Sequence, residues 1–512
     1  MLTLDYANCL ADRVTPTHGL DPQALTGPLA ERAKELTARL EKTRGTGWER
    51  WRLLADPAGT RPAHVQAVKA IAEKHSSGGK CKWDNLVVLG IGGSALGNIA
   101  LQAALNPLTH NIMQDGGSVR RTESSGADSP GSASRATGRR GPRLFVIDNV
   151  DPANFTAIMA ECPPERTLFN VVSKSGETAE TAGQFMIIRD LLARAVGSKG
   201  ADHIVAVTDA EKGTMRQICD AAGYDTLPVP EGVGGRFSVL SPVGLFSAAM
   251  CGIDIDRLLG GAHEMETKCR NPELAKNPAA MLATILVELG RGGGPARRAG
   301  DHGPADRATI QPKPNHVLMP YCNGLYLLAD WFRQLWAESL GKRHDTSGKE
   351  VFEGFTPIKA LGATDQHSQV QLYREGPNDK VFGLMEVESF GEDDVTIPTG
   401  LGVDTLAYLE GKKMSALLNA EKRATEYALV ESERPNFTIR FPMVNEHTVG
   451  EFIMLWQVAT AYAGLMLNID AYDQPAVETG KKATFGLMGR EGYGEWLEKV
   501  SGTLRQTVHV IS

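Results

Sequence analysis

Short, continuous apolar runs that alternate with helical patterns constrain this chain more than any other feature. The runs span residues 86–89, 144–147, 168–172, 203–208, 317–319, 381–387 and 437–441. Most do not alternate apolar with polar, which is how strands of a parallel sheet read when helices cover both faces. Helical periodicity fits residues 95–105, 178–195, 324–340, 446–467 and 475–488. The alternation recurs on both sides of residue 300, so two α/β units are expected. In such sheets ligands sit at the carboxyl ends of the strands.

Composition narrows the class. With 512 residues, 42% of them apolar, and a net charge of −7, the chain can bury a large core and is not dominantly disordered. The balance of 54 basic against 61 acidic residues gives no sign of a nucleic-acid-coating surface. Seven scattered cysteines, none in C-x-x-C spacing, argue against a disulfide framework or a structural zinc site, and no histidine spacing suggests a metal. Residues 1–14 lack a basic, apolar leader, and no apolar run approaches the roughly 20 residues of a membrane span. The expectation is a cytoplasmic protein without membrane partners. Residues 115–142 and 291–314 are rich in Gly, Ser, Arg and Pro and read as solvated surface insertions.

Two strand-to-helix loops suit an anion. The first, GIGGSALG at 90–97, lets the backbone approach a ligand closely and opens a helix with free N–H groups. It also fits a dinucleotide fingerprint, but the acidic residue needed about 20 positions later falls at Asp115, inside the Gly/Ser-rich stretch. The second, SKSGETAET at 173–181, combines three hydroxyls, Lys174 and a glycine at a helix start. Helix capping accounts for one hydroxyl. Three with a lysine favour a monophosphate. A third segment, GVGGRFS at 232–238, places Arg236 after a glycine pair, where its fixed fork of donors suits an oxyanion or an ordinary salt bridge.

Helix faces carry misplaced charges. Glu338 shares a face with Trp331, Gln334 and Leu335, so it is expected to be partly desolvated, with a raised pKa fit for taking a proton from carbon. Lys481 interrupts a stripe of Val477, Phe485 and Met488, and either snorkels or points into a site. His367, in TDQHSQ at 364–369, is able to carry a proton near pH 7, although a lone histidine is more often structural.

Together these motifs resemble the phosphoglucose isomerase family. The resemblance rests on GIGGSALG, SKSGETAET, GGRFSVLSP at 234–242, QLWAESLGK at 334–342, the Gln366-His367 pair and YDQPAVETGK at 472–481, in that order. Ala476 stands where the family usually has Gly, and Ser175 where Thr is frequent. The resemblance implies an α/β fold of two sugar-isomerase-type three-layer α/β/α sandwiches with parallel sheets and a C-terminal helical arm. It divides the chain into an N-terminal helical extension (1–80), a first sandwich (81–240, with an insertion at 110–142), a helical connector (241–314), a second sandwich (315–490) and a tail (491–512). It also implies a homodimer with shared active sites, a sugar phosphate substrate and no cofactor. By the same resemblance Ser94, Ser173, Lys174, Ser175 and Thr178 hold the phosphate, with Gly93, Gly235, Gln334 and Gln474 beside the sugar. Glu338 moves the carbon-bound proton, His367 assisted by Lys481 opens the ring, and Arg236 stabilises the oxyanion.

Overall fold

The computed structural model describes residues 1–77, 80–113, 140–293 and 310–503. Most of both Gly/Ser/Arg-rich stretches and the end of the tail therefore lie outside the described residues. Apart from two short antiparallel pairs (Ser76–Ser77 with Lys80–Cys81, and Lys342–His344 with Glu350–Glu353), the described strands are β1 (Thr3–Asp5), β2 (Asn85–Leu89), β3 (Arg143–Ile147), β4 (Thr167–Val172), β5 (Ile204–Thr208), β6 (Asp225–Pro228), β7 (Asn315–Pro320), β8 (Thr356–Lys359), β9 (Lys380–Val387) and β10 (Asn436–Phe441). They form two five-stranded sheets, β3-β2-β4-β5-β6 and β1-β10-β9-β7-β8. In these two sheets every pairing is parallel except that of β1 with β10.

Each sheet is covered on both faces, as continuous apolar strands require. The principal helices are α1 (Leu96–Leu105), α2 (Ala179–Val196), α3 (Ile255–Lys268), α4 (Pro278–Arg291), α5 (Tyr326–Leu340), α6 (Glu446–Leu467), α7 (Val477–Leu487) and α8 (Gly494–Thr503). In β2, Val87 and Leu89 join a core with Phe185, Ile188 and Leu192 of α2. Leu86 and Val88 face the opposite core with Leu101 of α1. The second sheet repeats the scheme, with Val317 and Phe382 on one face and Leu318 and Val381 on the other. The α/β architecture follows the expectation, with one difference. The segment expected as a helical N-terminal extension begins with a strand that adds an antiparallel edge to the second sheet.

Helix α6 is the axis of the larger core. Asn445 and Thr448 close a reciprocal capping box at its start. Trp456, Phe452 and nearly every other side chain along it are buried, packed against α3, α4 and α5. Among the described residues it is the helix long and apolar enough to cross a membrane, which amends the expectation that no such segment exists; here it lies inside the protein. Helix α5 also packs on α1, which brings the first glycine loop against the helix that carries Glu338.

The stretch at 291–314 also departs from a purely solvated loop. Lys313 is fully buried, its ammonium donating to the carbonyls of Gln311 and Asn378 and to His18 Nδ1, and burial pulls its pKa down to about 8. Three carbonyl or imidazole acceptors offset the cost of burying the cation.

The crossing of α3 and α6 depends on two glycines. A Cβ on Gly450 would collide with the Leu258 carbonyl, and one on Gly261 with the His447 carbonyl. Gly450→Ala or Gly261→Ala is therefore expected to lower Tm in scanning calorimetry, by overpacking on the order of 1–3 kcal/mol. An unchanged Tm in both would contradict this packing.

Candidate active site

Arg236 lies in the turn Gly235–Phe237 and is buried, its side chain 2% exposed. All its donors are engaged. Nε donates to Ser339 Oγ at 2.7 Å; Nη1 donates to Glu338 Oε1 at 3.2 Å and Gln474 Oε1 at 2.9 Å. Nη2 donates to the carbonyls of Ala471 at 2.6 Å and Asp473 at 3.1 Å. Burial pulls the guanidinium pKa below its ordinary value, against the opposing pull of Glu338, Asp473 and Asp470. Three segments distant in sequence thus meet on one cation.

Glu338 projects from the last turn of α5 and is 28% exposed. Its second carboxylate oxygen accepts from Gln334 Nε2 at 3.0 Å. The i, i+4 spacing places both on one helix face, as expected. Their immediate surroundings are hydrogen-bond donors, not the apolar stripe that the spacing suggests. Buried Lys342 reinforces the group, donating to the carbonyls of Glu338 and Asp473 at 2.9 and 2.7 Å. Burial and the neighbouring Arg236 charge both lower the Lys342 pKa.

The glycine loop closes over this cage. A Cβ on Gly93 would collide with the carbonyl group of Gly235, so the two glycine turns are in backbone contact. A Cβ on Gly92 would come 3.0 Å from the Gln334 amide nitrogen. Ser94 ends the turn Gly92–Ser94, half-buried, and its carbonyl accepts from Asn98 Nδ2 at 2.9 Å.

The loop between β4 and α2 has the shape of an anion cradle. The buried Ser173 hydroxyl accepts from Gly176 N at 3.1 Å, and the Ser175 hydroxyl accepts from Glu177 N at 3.2 Å. The Lys174 carbonyl accepts from Thr208 Oγ1 and Asp209 N, which ties the loop to the carboxyl end of β5. Thr178 occupies the N-cap of α2 without using its hydroxyl there, leaving that group beside the positive helix end.

A cavity of 430 Å³ joins the cradle to the cage, lined by Trp48, Lys174, Gly235, Tyr472, Asp473 and Gln474 among others. Its size is in the range of small-molecule sites. Behind it, Phe237 stacks on Trp51 at 5.0 Å and meets Tyr472 at a tilt at 5.4 Å. A larger groove of 570 Å³ runs past Arg61, Lys69 and Asp256, but both cations there pair with Asp256.

Two expected site residues stand apart in this chain. His367, exposed at the end of the turn Thr364–His367, makes no hydrogen bond or ion pair with Arg236, Glu338 or Lys174. The Lys481 stripe is not a buried face. Val477 and Met488 are exposed, and Lys481 itself is exposed and paired with Glu478 at 2.8 Å. The α7–α8 arm packs on itself and meets the cradle through Arg490 and Glu177 at 3.2 Å, which leaves Val477, Lys481 and Met488 exposed among the described residues.

Sequence reasoning missed Trp48, Ser339, Lys342 and Tyr472 as parts of the site. Lys342 and Ser339 carried a signal, since they lie within QLWAESLGK; Trp48 carried none. As for metals, Glu264, His447 and Glu451 offer ligand atoms within 4.8 Å of one another. They lie on α3 and α6 away from the cavity lining, with His447 already bonded to Glu264 at 3.0 Å.

Comparison with known proteins adds to this geometry. The family model described as phosphoglucose isomerase matches residues 131–290 and 307–488, which include the cradle, Arg236, Glu338, His367 and Lys481. The chain is 43% identical over 419 residues to the glucose-6-phosphate isomerase of Carboxydothermus hydrogenoformans, covering 82% of each. It is 38% identical over 502 residues to that of Rubrobacter xylanophilus, covering 96% of this chain and 99% of the relative. A solved structure of a hypothetical protein from Thermus thermophilus superposes with a TM-score of 0.76 at 32% identity, covering 96% of this chain and 100% of that one.

The cage makes a direct demand on residue 236. Lysine keeps the charge but cannot reproduce a fork that meets five acceptors in two distant segments. Arg236→Lys is expected to lower Tm, with each orphaned buried acceptor costing about 1–3 kcal/mol. Equal Tm values for variant and parent would show that the cage contributes nothing to stability.

Proposed function

We propose that this chain, which belongs to the phosphoglucose isomerase family, interconverts glucose 6-phosphate and fructose 6-phosphate. The activity is an aldose–ketose isomerisation (EC 5.3.1.9), a step of glycolysis and gluconeogenesis. One observation carries the reading at the site. Arg236, which holds the Glu338 carboxylate, also holds Gln474, and Gln474 lines the same cavity as Lys174 of the cradle before α2. A phosphate at the cradle would leave the sugar in the cavity that Gln474 borders on the Arg236 side.

In this reading Ser94, Ser173, Lys174, Ser175, Thr178 and the first turn of α2 receive the phosphate, charge on dipole and donor on oxygen. Gly93, Gly235, Gln334 and Gln474 border the sugar. Glu338 takes the proton from C2, forming a cis-enediol(ate), and returns one to C1. Arg236, whose N–H donors are all taken by protein groups, stabilises the developing oxyanion through its fixed positive charge rather than through a free donor. His367, assisted by Lys481, transfers protons between the ring oxygen and the C1 hydroxyl to open the hexose. Proton transfer alone exchanges aldose and ketose, so no cofactor forms part of the proposal.

A homodimer completes it. His367 and Lys481 are exposed and outside the Arg236 cage in one chain, while Val477, Leu487 and Met488 on the arm and Leu401, Val403 and Tyr408 on the 391–413 loop present apolar surface to solvent. Surface of that kind is suited to a second copy, and active sites shared between copies would bring the ring-opening groups to the base. A cytoplasmic address is part of the same proposal.

A coupled assay interconverting the two sugar phosphates tests the activity, and Glu338→Gln tests the base. The amide keeps the bond to Arg236 but has no proton acceptor of comparable strength. Turnover is expected to fall by about 10²–10⁴-fold, and exchange of solvent tritium into C2 to vanish with it. Exchange at the parental rate would assign the base elsewhere.

A further inference from the structure

We propose that Trp48 is a positioning residue that holds Lys174 ready for the substrate's phosphate, making the N-terminal segment a wall of the active site. The proposal rests on the isomerase reading above. Lys174 is exposed, and among the described residues its ammonium makes no ion pair. The carboxylate of Asp209, close enough to feel the Lys174 charge, is engaged by the backbone N–H groups of Glu211 and Lys212 at 3.1 and 3.2 Å. What faces the ammonium instead is the indole of Trp48, with Nζ 5.7 Å from the ring centroid. Both side chains line the same 430 Å³ cavity.

Trp48 is 51% exposed, which core packing does not explain. Its support is nonetheless rigid. A Cβ on Gly232 would collide with the Gly47 carbonyl oxygen, so the backbone before Trp48 lies directly against the loop leading to Arg236. Arg50 pairs with Glu231 at 2.5 Å on the same loop, and Trp51 stacks on Phe237. The ring is thus an exposed face on a fixed mount, aimed at the Lys174 ammonium.

The physical gain is preorganisation. A lysine on a four-carbon stem loses rotamer freedom when it binds phosphate, and prior attraction to an aromatic face removes part of that loss. The quadrupole attracts the ammonium without consuming its N–H donors, which stay available to the anion. A carboxylate partner would neutralise the charge that the phosphate needs; an indole does not.

The test compares Trp48→Ala, Trp48→Phe and Trp48→Leu. KM and kcat are measured with the sugar phosphate, and inorganic phosphate binding is measured by calorimetry. Trp48→Ala is expected to weaken inorganic phosphate binding and raise KM in parallel, about two- to fivefold each, with KM rising by more than kcat falls. Trp48→Phe should retain most of the affinity. Trp48→Leu, which keeps bulk without a π-face, should lose it, and serves in place of the alanine variant if that one does not fold. Unchanged phosphate affinity, or a KM rise confined to the sugar with phosphate binding intact, would overturn the proposal. Absence of turnover in the parent with the phosphate effects present would instead sink the isomerase reading and leave the Trp48–Lys174 coupling standing.

Discussion

A guanidinium removed from water must have its donors met by protein, and at Arg236 that requirement organises the site. Leaving any of them unpaired in the interior would cost the desolvation of a charged group. The partners come from the end of α5 and from the 471–474 segment, so the cage forms only when both are in place. Arg236 itself follows the Gly234-Gly235 turn, where the backbone contact with Gly93 brings in the first sheet. One buried charge therefore couples the two α/β units at the place where their loops meet.

The remaining structure delivers those parts. Parallel strands buried on both faces end in loops at one edge of each sheet, and helix packing sets the loops against one another. The α1–α5 contact places the glycine turn over Gln334 and Glu338. Helix α6, threaded through the larger core, gives α3, α4 and α5 a common surface. The ladder of Trp51, Phe237 and Tyr472 links the N-terminal segment to the residues on either side of Arg236.

The central strands and long helices were legible because a strand covered on both faces must be apolar throughout, and residues 86–89 and 168–172 admit little else. The edge strands β1, β6 and β8 were not, because strands of three or four residues, among them Leu4 between Thr3 and Asp5, lack enough periodicity to register. At the site, the spacing of Gln334 and Glu338 identified one helix face correctly, since i and i+4 on a helix are neighbours whatever surrounds them. The same logic says nothing of burial around Lys481, where Val477 and Met488 are exposed, because periodicity reports a face without reporting whether anything covers it. Trp48 and Tyr472 were invisible as partners of Lys174 and Phe237, because their proximity is set by chain folding over many residues and leaves no local pattern.

In the proposed reaction Arg236 and Glu338 act as one unit, a base and the buried charge that both orients it and stabilises the oxyanion. A double-mutant cycle of Glu338→Gln and Arg236→Lys, read as kcat/KM for isomerisation, tests it most directly. Strong non-additivity is expected, with the double variant little worse than the more damaged single variant. Losses that multiply as for independent sites would contradict it.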